Sequence, residues 1–198
     1  MKKLCVVMCL YVFALVPAAY GESVNFDSVP TGSYSSLTFS DFVLTFPGGN
    51  GHFNIVPASP GPPISGQAAI SYYQNPGPDA FLVTPTSLMA YFSIAGGDYD
   101  QDTDYLHLRA YDAFNNLIGS NDNTVPNDLY GGVYVTVGTT TPIDHLQFWS
   151  DGDFPGSVYW DSITTSSTTP VPEPGSMVLM VSGLLGLAGA VRRRMIKS

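Results

Sequence analysis

Asp98-Tyr99-Asp100-Gln101-Asp102-Thr103-Asp104 sets a carboxylate at every second position of a short stretch. Carboxylates spaced like this in a loop can converge on one hard cation, and calcium accepts about six to eight oxygen ligands. The stretch is not an EF-hand. Thr103 stands where the turn glycine belongs, and Arg109 where the bidentate glutamate belongs. The competing reading is a solvated acidic loop whose like charges are screened by water. Asp27 and Asp161 form a second candidate calcium pair, since the first and last strands of a β-sandwich often lie together.

Aromatic residues are plentiful: Tyr72-Tyr73, Tyr99, Tyr105, Tyr111, Tyr130, Trp149 and Tyr159-Trp160. A flat row of such rings can stack on the apolar C–H faces of sugars, and Trp149, Tyr111 and Tyr105 are the candidates. Trp149 alternates with Leu146 and Phe148, which are expected inside, so its side chain is expected outside. Trp160 is expected in the core. Ordinary sheet composition also supplies tyrosine and tryptophan, which suit half-buried strand positions.

Catalytic chemistry finds less support. His52, His107 and His145 have no metal-ligand spacing among themselves. There is no Gly-x-Ser-x-Gly elbow for a serine hydrolase. A glycosidase needs two placed carboxylates; aspartates are numerous, but Glu22 is the only glutamate between the two ends of the chain. No glycine-rich piece carries the lysine and following helix of a phosphate-binding loop. A binding or structural role is therefore expected rather than catalysis, with a carbohydrate-active hydrolase as the weaker alternative.

These side chains need a scaffold, and the sequence predicts strands for it. Val133-Tyr134-Val135-Thr136-Val137 alternates strictly. In Tyr105–Tyr111, Leu106, Leu108 and Ala110 face inward while Tyr105, His107, Arg109 and Tyr111 face outward. Leu88, Ala90, Phe92 and Ile94 make a third row. Further short strands are expected at 24–26, 42–46, 53–56, 68–72, 80–83, 116–119, 144–149 and 158–164, making about eleven in all. Turn signals separate them: Gly48-Gly49-Asn50-Gly51, Asn75-Pro76-Gly77-Pro78, Asp151-Gly152 and a hairpin at 112–116. Residues 47–66, rich in glycine and proline, are expected to run over one end of the domain. No stretch carries a sustained helical period with caps. The expected fold is all-β, an antiparallel β-sandwich or jelly roll over residues 22–163.

Charge is segregated along the chain. Of seven basic residues, Lys2 and Lys3 open the sequence and Arg192, Arg193, Arg194 and Lys197 close it. Between them only Arg109 is basic, against 15 of the 16 acidic residues, leaving a formal charge of −14. Such a surface repels phosphate backbones, so nucleic acid is not an expected partner. It attracts divalent cations and keeps an exported domain soluble.

Lys2-Lys3, the apolar stretch from Leu4 to Val16 and the small residues after it have the layout of a secretory signal peptide. Ala19-Tyr20-Gly21 favours cleavage before Glu22, giving a leader over residues 1–21 with its own apolar helix; Val16-Pro17-Ala18 is a second option. Cys5 and Cys9 both lie in this leader, so residues 22–198 hold no cysteine, disulfide or thiolate site. Outside the cell, millimolar calcium would suffice to fill even a weak carboxylate site.

The C-terminal end combines three features. Pro172-Glu173-Pro174 is followed by an uncharged run over 175–191 and then by Arg192-Arg193-Arg194. As helix, that run is roughly 26 Å long, enough to cross a bilayer. The basic cluster then stays cytoplasmic and the rest of the chain lies across the membrane. Residues 164–171, rich in serine, threonine and proline, read as a linker that holds the domain away from it. The region 172–198 resembles the PEP-CTERM sorting signal of Gram-negative bacteria. The resemblance implies recognition by exosortase, a membrane-embedded cysteine protease, at the inner membrane, with cutting near Pro172-Glu173-Pro174. It also implies a cell-surface or extracellular destination after processing, in a setting where exopolysaccharide is made.

The preceding domain is similar to the β-sandwiches often found ahead of such tails. The likeness lies in Asn25-Phe26-Asp27, Ala110-Tyr111-Asp112 and Tyr159-Trp160-Asp161-Ser162-Ile163. These domains also look like carbohydrate-binding jelly rolls, so the resemblance implies a polysaccharide-associated surface protein, with calcium as a structural cofactor.

Overall fold

The computed structural model describes residues 22–58, 60–71, 80–99, 102–127, 129–152 and 156–167. Every helix or strand among them is a strand. In chain order these are β1 (Ser23–Val24), β2 (Gly32–Tyr34), β3 (Ser36–Thr38), β4 (Phe42–Thr45), β5 (Phe53–Pro57), β6 (Gln67–Ile70) and β7 (Phe81–Pro85). They continue with β8 (Tyr91–Asp98), β9 (Asp104–Tyr111), β10 (Leu117–Val125), β11 (Gly131–Gly138), β12 (His145–Gly152) and β13 (Tyr159–Ser166). The leader, the 168–171 part of the linker, the sorting tail with its apolar run, Asp100 and Tyr72-Tyr73 lie outside the described residues.

Two antiparallel sheets stack face to face. The seven-stranded sheet runs β11-β8-β13-β6-β5-β2, with β1 also on the β6 side of β13. The six-stranded sheet runs β10-β9-β12-β7-β4-β3. Strands β6 to β13 wind as an eight-stranded jelly roll, β6-β13-β8-β11 over β7-β12-β9-β10. The expected jelly-roll sandwich is the observed fold.

Alternation explains which side chains fill the space between the sheets. Leu106, Leu108 and Ala110 of β9 are buried, as are Phe92 and Ile94 of β8 and Val135 and Val137 of β11. Phe148 stacks on Phe81 at 4.8 Å between centroids and leans on Trp160 at the same distance. Trp160 is fully buried, as its place in β13 requires. Aromatic pairs of this kind add to the area term that drives the collapse.

The structure departs from the sequence reading in several places. Leu88, expected in an inward row, is 61% exposed, because it precedes the start of β8 at Tyr91. Thr164, Thr165 and Ser166, expected in the linker, pair with β8 as the end of β13. β2 and β3 are short, polar and mostly exposed, so no apolar period marks them; β5 and β4 supply their pairing. β10 extends through Asn121-Asp122-Asn123-Thr124-Val125, where the polar sequence suggested loop, because an edge strand need bury little. Ala58 and residues 60–66 cover a sheet face rather than one end of the sandwich. Ala58 and Ile64 pack on Ala68 and Ala95 of the seven-stranded sheet, and the Gly132 N–H donates to the Pro62 carbonyl at 3.4 Å.

Candidate functional site

The outer face of the six-stranded sheet gathers most of the side chains able to recognise a ligand. Register sets Tyr105, His107, Arg109 and Tyr111 of β9 opposite Asp151, Trp149, Gln147 and His145 of β12. On the other edge of β9, Asp122 of β10 faces His107. Strict alternation puts all of these on one surface, since each opposite position turns into the core.

The centre of this face is Trp149, which lies outside the core as alternation requires yet is only 7% exposed. The His107 ring stacks on it at 5.0 Å and 23°, and the Arg109 guanidinium carbon lies 5.3 Å from its ring centre. The expectation of an open Trp149 ring is thus corrected: its stacking surface is occupied by its neighbours. Asp122 draws the group together. Its Oδ1 accepts from Arg109 Nη1 at 2.7 Å and lies 2.7 Å from His107 Nδ1. These bonds, the Arg109 one foremost, hold the Asp122 carboxyl below the usual carboxylate range. His107 Nε2 lies 3.2 Å from Asp151 Oδ1 but forms no aligned hydrogen bond, and the Trp149 indole N–H has no acceptor among the described residues.

The flanks of the face are more open. Tyr105 is 50% exposed. Tyr111 is half-buried and stacks on His145 at 4.9 Å and 12°, and His145 Nδ1 lies 3.0 Å from Asp144 Oδ2. Together these groups offer one available aromatic face, a partly buried guanidinium–imidazole pair and amide and carboxylate hydrogen-bonding groups. That mixture suits an uncharged polyhydroxylated ligand.

The acidic stretch converges in part. Asp98 closes β8, Asp104 opens β9, and the segment between them crosses from one sheet to the other. One carboxylate oxygen from each of Asp98, Asp102 and Asp104 lies within 4.8 Å of the other two. Asp98 and Asp104 are buried, and Asp98 accepts from the Ser157 hydroxyl at 3.0 Å. Both Asp102 carboxylate oxygens are closed to solvent and accept no hydrogen bond among the described residues. An all-oxygen set of this kind suits a hard cation.

Asp27 and Asp161, the other carboxylate pair, lie under the 61–67 segment. Asp27 Oδ1 accepts from Gln67 N at 2.9 Å, and its Oδ2 from Asn25 Nδ2 at 3.0 Å. Asp161 Oδ2 accepts from Ser65 N at 3.4 Å. Gln67 has no part in the sequence-level site, since a lone glutamine between apolar residues carries no spacing signal. The same holds for Asp122, set in a polar run that did not read as strand.

Residues 170–194 match the PEP-CTERM protein-sorting motif, so the tail carries that signal. The motif implies export, processing by exosortase and a surface or membrane-anchored location. Comparison with curated proteins finds no match. Among solved structures, a DUF4465 family protein from Bacteroides caccae is similar at 10% identity and TM-score 0.43. The match covers 77% of this chain and 96% of that one. The CBM22-1 xylan-binding domain of Paenibacillus barcinonensis Xyn10C is similar at 9% identity and TM-score 0.45, over 78% of this chain and 99% of that domain. The C-terminal family 22 carbohydrate-binding module of Clostridium thermocellum Xyn10B is similar at 9% identity and TM-score 0.41, over 73% and 98%.

Proposed function

We propose that this chain is an exosortase-sorted surface protein whose jelly-roll domain associates with extracellular polysaccharide. The observation that carries the sorting is the motif at 170–194, which follows the sandwich directly. In this reading residues 1–21 direct export, and the helix over 175–191 holds the precursor in the inner membrane. Arg192, Arg193 and Arg194 stay on the cytoplasmic side. Exosortase then cuts near Pro172-Glu173-Pro174 and leaves the domain at the cell surface. Changing these three residues to alanine tests it by pulse-chase and fractionation: the precursor should stay uncut in the inner membrane. Processing at the normal rate would reduce the tail to a plain anchor.

The polysaccharide role rests on the outer face of the six-stranded sheet. Tyr105 supplies the exposed ring, with Tyr111 beside it, and Trp149 braces His107 and Arg109 from below. Gln147, Asp151 and Arg109, which lie partly open on the same face, would meet the sugar hydroxyls beside the Tyr105 ring. Calcium at Asp98, Asp102 and Asp104 is the cofactor of this reading, bracing the turn that leads into β9. Affinity electrophoresis of the full chain in detergent tests it, with native gels cast with xylan, dextran or the bacterium's own exopolysaccharide. Retardation in one of these gels that is lost in Tyr105→Ala and Tyr111→Ala supports the reading. Equal mobility in all of them favours a passive matrix component with no small ligand.

A further inference from the structure

The two ends of the sandwich differ in kind. In the seven-stranded sheet, Gly138 of β11 and Ser166 of β13 both lie opposite Tyr91, the first residue of β8. In the six-stranded sheet, Leu117 of β10 and His145 of β12 both lie opposite Tyr111, the last residue of β9. The 139–144 segment shows that these are one end of the molecule. The Thr139 and Ile143 N–H groups donate to the Ala90 and Met89 carbonyls, just ahead of β8, and the Asp144 N–H donates to the Tyr111 carbonyl at 2.9 Å. The chain therefore leaves β13 at the end that carries the 86–90 segment and the 112–116 hairpin.

That end is tipped with apolar side chains. Phe114 is 87% exposed, Leu88 61% and Leu117 55%. Asp112 Oδ1 accepts from the Phe114 and Asn116 N–H groups, and Asn115 turns at φ 62°, so the hairpin fixes Phe114 at its tip. Leu117 in β10 and the end of β7, which leads to Leu88, are three strand spacings apart, roughly 14 Å. Thr140, Thr141 and Pro142, in the segment between β11 and β12, are exposed and uncharged. The acidic groups of this end are engaged within the chain. Asp112 holds the hairpin, Asp144 Oδ2 lies 3.0 Å from His145 Nδ1, Asp41 Oδ2 accepts from the Thr165 hydroxyl, and Glu22 Oε2 accepts from Asp41 N. The opposite end holds Asp98, Asp102, Asp104 and Asp151, and its exposed rings, Tyr99 and Tyr130, carry hydroxyls.

The length of chain that follows β13 says what covers the apolar tips. β13 ends at Ser166 and the apolar run begins at Gly175. Fully extended, residues 167–174 span at most roughly 28 Å. The inference rests on the reading that the 175–191 helix lies in the bilayer. The apolar-tipped end then stands within that reach of lipid, and the acidic end points away. Tethering makes the contact intramolecular, so a few weak apolar contacts suffice. Phenylalanine and leucine are side chains that enter the bilayer interface. We propose that Leu88, Phe114 and Leu117 dock this end of the sandwich on the periplasmic face of the inner membrane. The docking seats the unprocessed domain on lipid beside Pro172-Glu173-Pro174. It is apolar rather than electrostatic, so salt does not release it.

The experiment places one nitrobenzoxadiazole label on the full chain in vesicles of phosphatidylethanolamine and phosphatidylglycerol. Cys5→Ser and Cys9→Ser remove the native thiols. The label sits at Ala113→Cys, beside Phe114, or at Tyr130→Cys, which precedes Gly131 at the acidic end. Flotation with the vesicles reads the anchor; label emission and quenching by spin-labelled lipid read the docking. The Ala113→Cys label should emit to the blue of the Tyr130→Cys label and be quenched by the lipid probe, at low and at high salt. Leu88→Ser, Phe114→Ser and Leu117→Ser together should abolish both signals while the chain still floats and, these side chains being exposed, melts at about the same temperature. A floating chain whose two labels behave alike, or whose Ala113→Cys signal survives the three serines, overturns the docking and leaves the anchor standing. A blue shift without lipid quenching also overturns it and assigns this end to a second copy of the chain. A chain that does not float overturns the anchor, and the docking falls with it.

Discussion

Gly96 and Gly97 are neighbours in β8 and face opposite sides of the seven-stranded sheet, so alanine at each position probes a different contact. A Cβ at Gly97 would fall on the Gly131 carbonyl oxygen and lie 2.5 Å from Gly132 Cα. Both are backbone atoms of β11, and Gly132 is the register partner of Gly97. They can retreat only if that end of the β8–β11 ladder opens. Losing about two to four ladder hydrogen bonds costs about 2–4 kcal/mol at roughly 1 kcal/mol each. Alanine's restriction of the unfolded chain returns about 0.4–1 kcal/mol. The net loss of about 2–3 kcal/mol lowers the melting temperature by roughly 4–12 °C for a chain of this size. At Gly96 the new Cβ meets side chains instead, Trp160 Cζ3 at 2.8 Å and Leu106 Cδ1 at 2.9 Å. Leu106 can rotate, but the fully buried Trp160 ring is packed on Phe148, so the overpacking costs about 1–3 kcal/mol. Circular-dichroism melts of both variants in the full chain are the assay. A Gly97→Ala chain as stable as its parent would refute the packing of β11 on β8.

Two further predictions concern side chains. Trp160→Ala should cost about 3–5 kcal/mol, because it empties a fully buried site, whereas Trp149→Phe should cost less than about 1.5 kcal/mol, because the lost N–H has no acceptor. Urea unfolding midpoints measure both, and equal losses would contradict the assignment of one tryptophan to the core and the other to the outer face. Asp122 has a folded-state pKa below its unfolded value. Its stabilising contribution is therefore complete above about pH 3.8 and is lost as pH falls through the folded pKa. The side chain is 56% exposed, so screening limits that contribution to about 1 kcal/mol or less. NMR titration should find the Asp122 carboxyl below the ordinary range and rising toward it in Arg109→Met; an unmoved titration would remove Arg109 as its main partner.

The sequence carried the fold where one sheet face is apolar and the other polar. β9 and β11 alternate cleanly, and the structure keeps their expected inward rows. β2, β3 and the end of β10 were illegible because edge strands take their order from a neighbour rather than from their own burial. The site was legible as a set of faces, not as contacts. Alternation set Trp149 on the outer surface, but only the register of β9 against β12 brings His107 and Arg109 over its ring. The acidic stretch reads as one group by spacing alone; the crossing between sheets selects Asp98, Asp102 and Asp104. Asp161 was legible as an acidic residue in an aromatic strand, but the bulge that follows it in β13 has no local sequence signature.

The sorting account stands most directly on the mass of the protein recovered from the cell surface. Surface biotinylation followed by intact-mass spectrometry should give a chain that begins at Glu22 and ends near Pro172-Glu173-Pro174, lacking the apolar run and the arginine cluster. A surface form that continues through Ser198 would contradict exosortase processing.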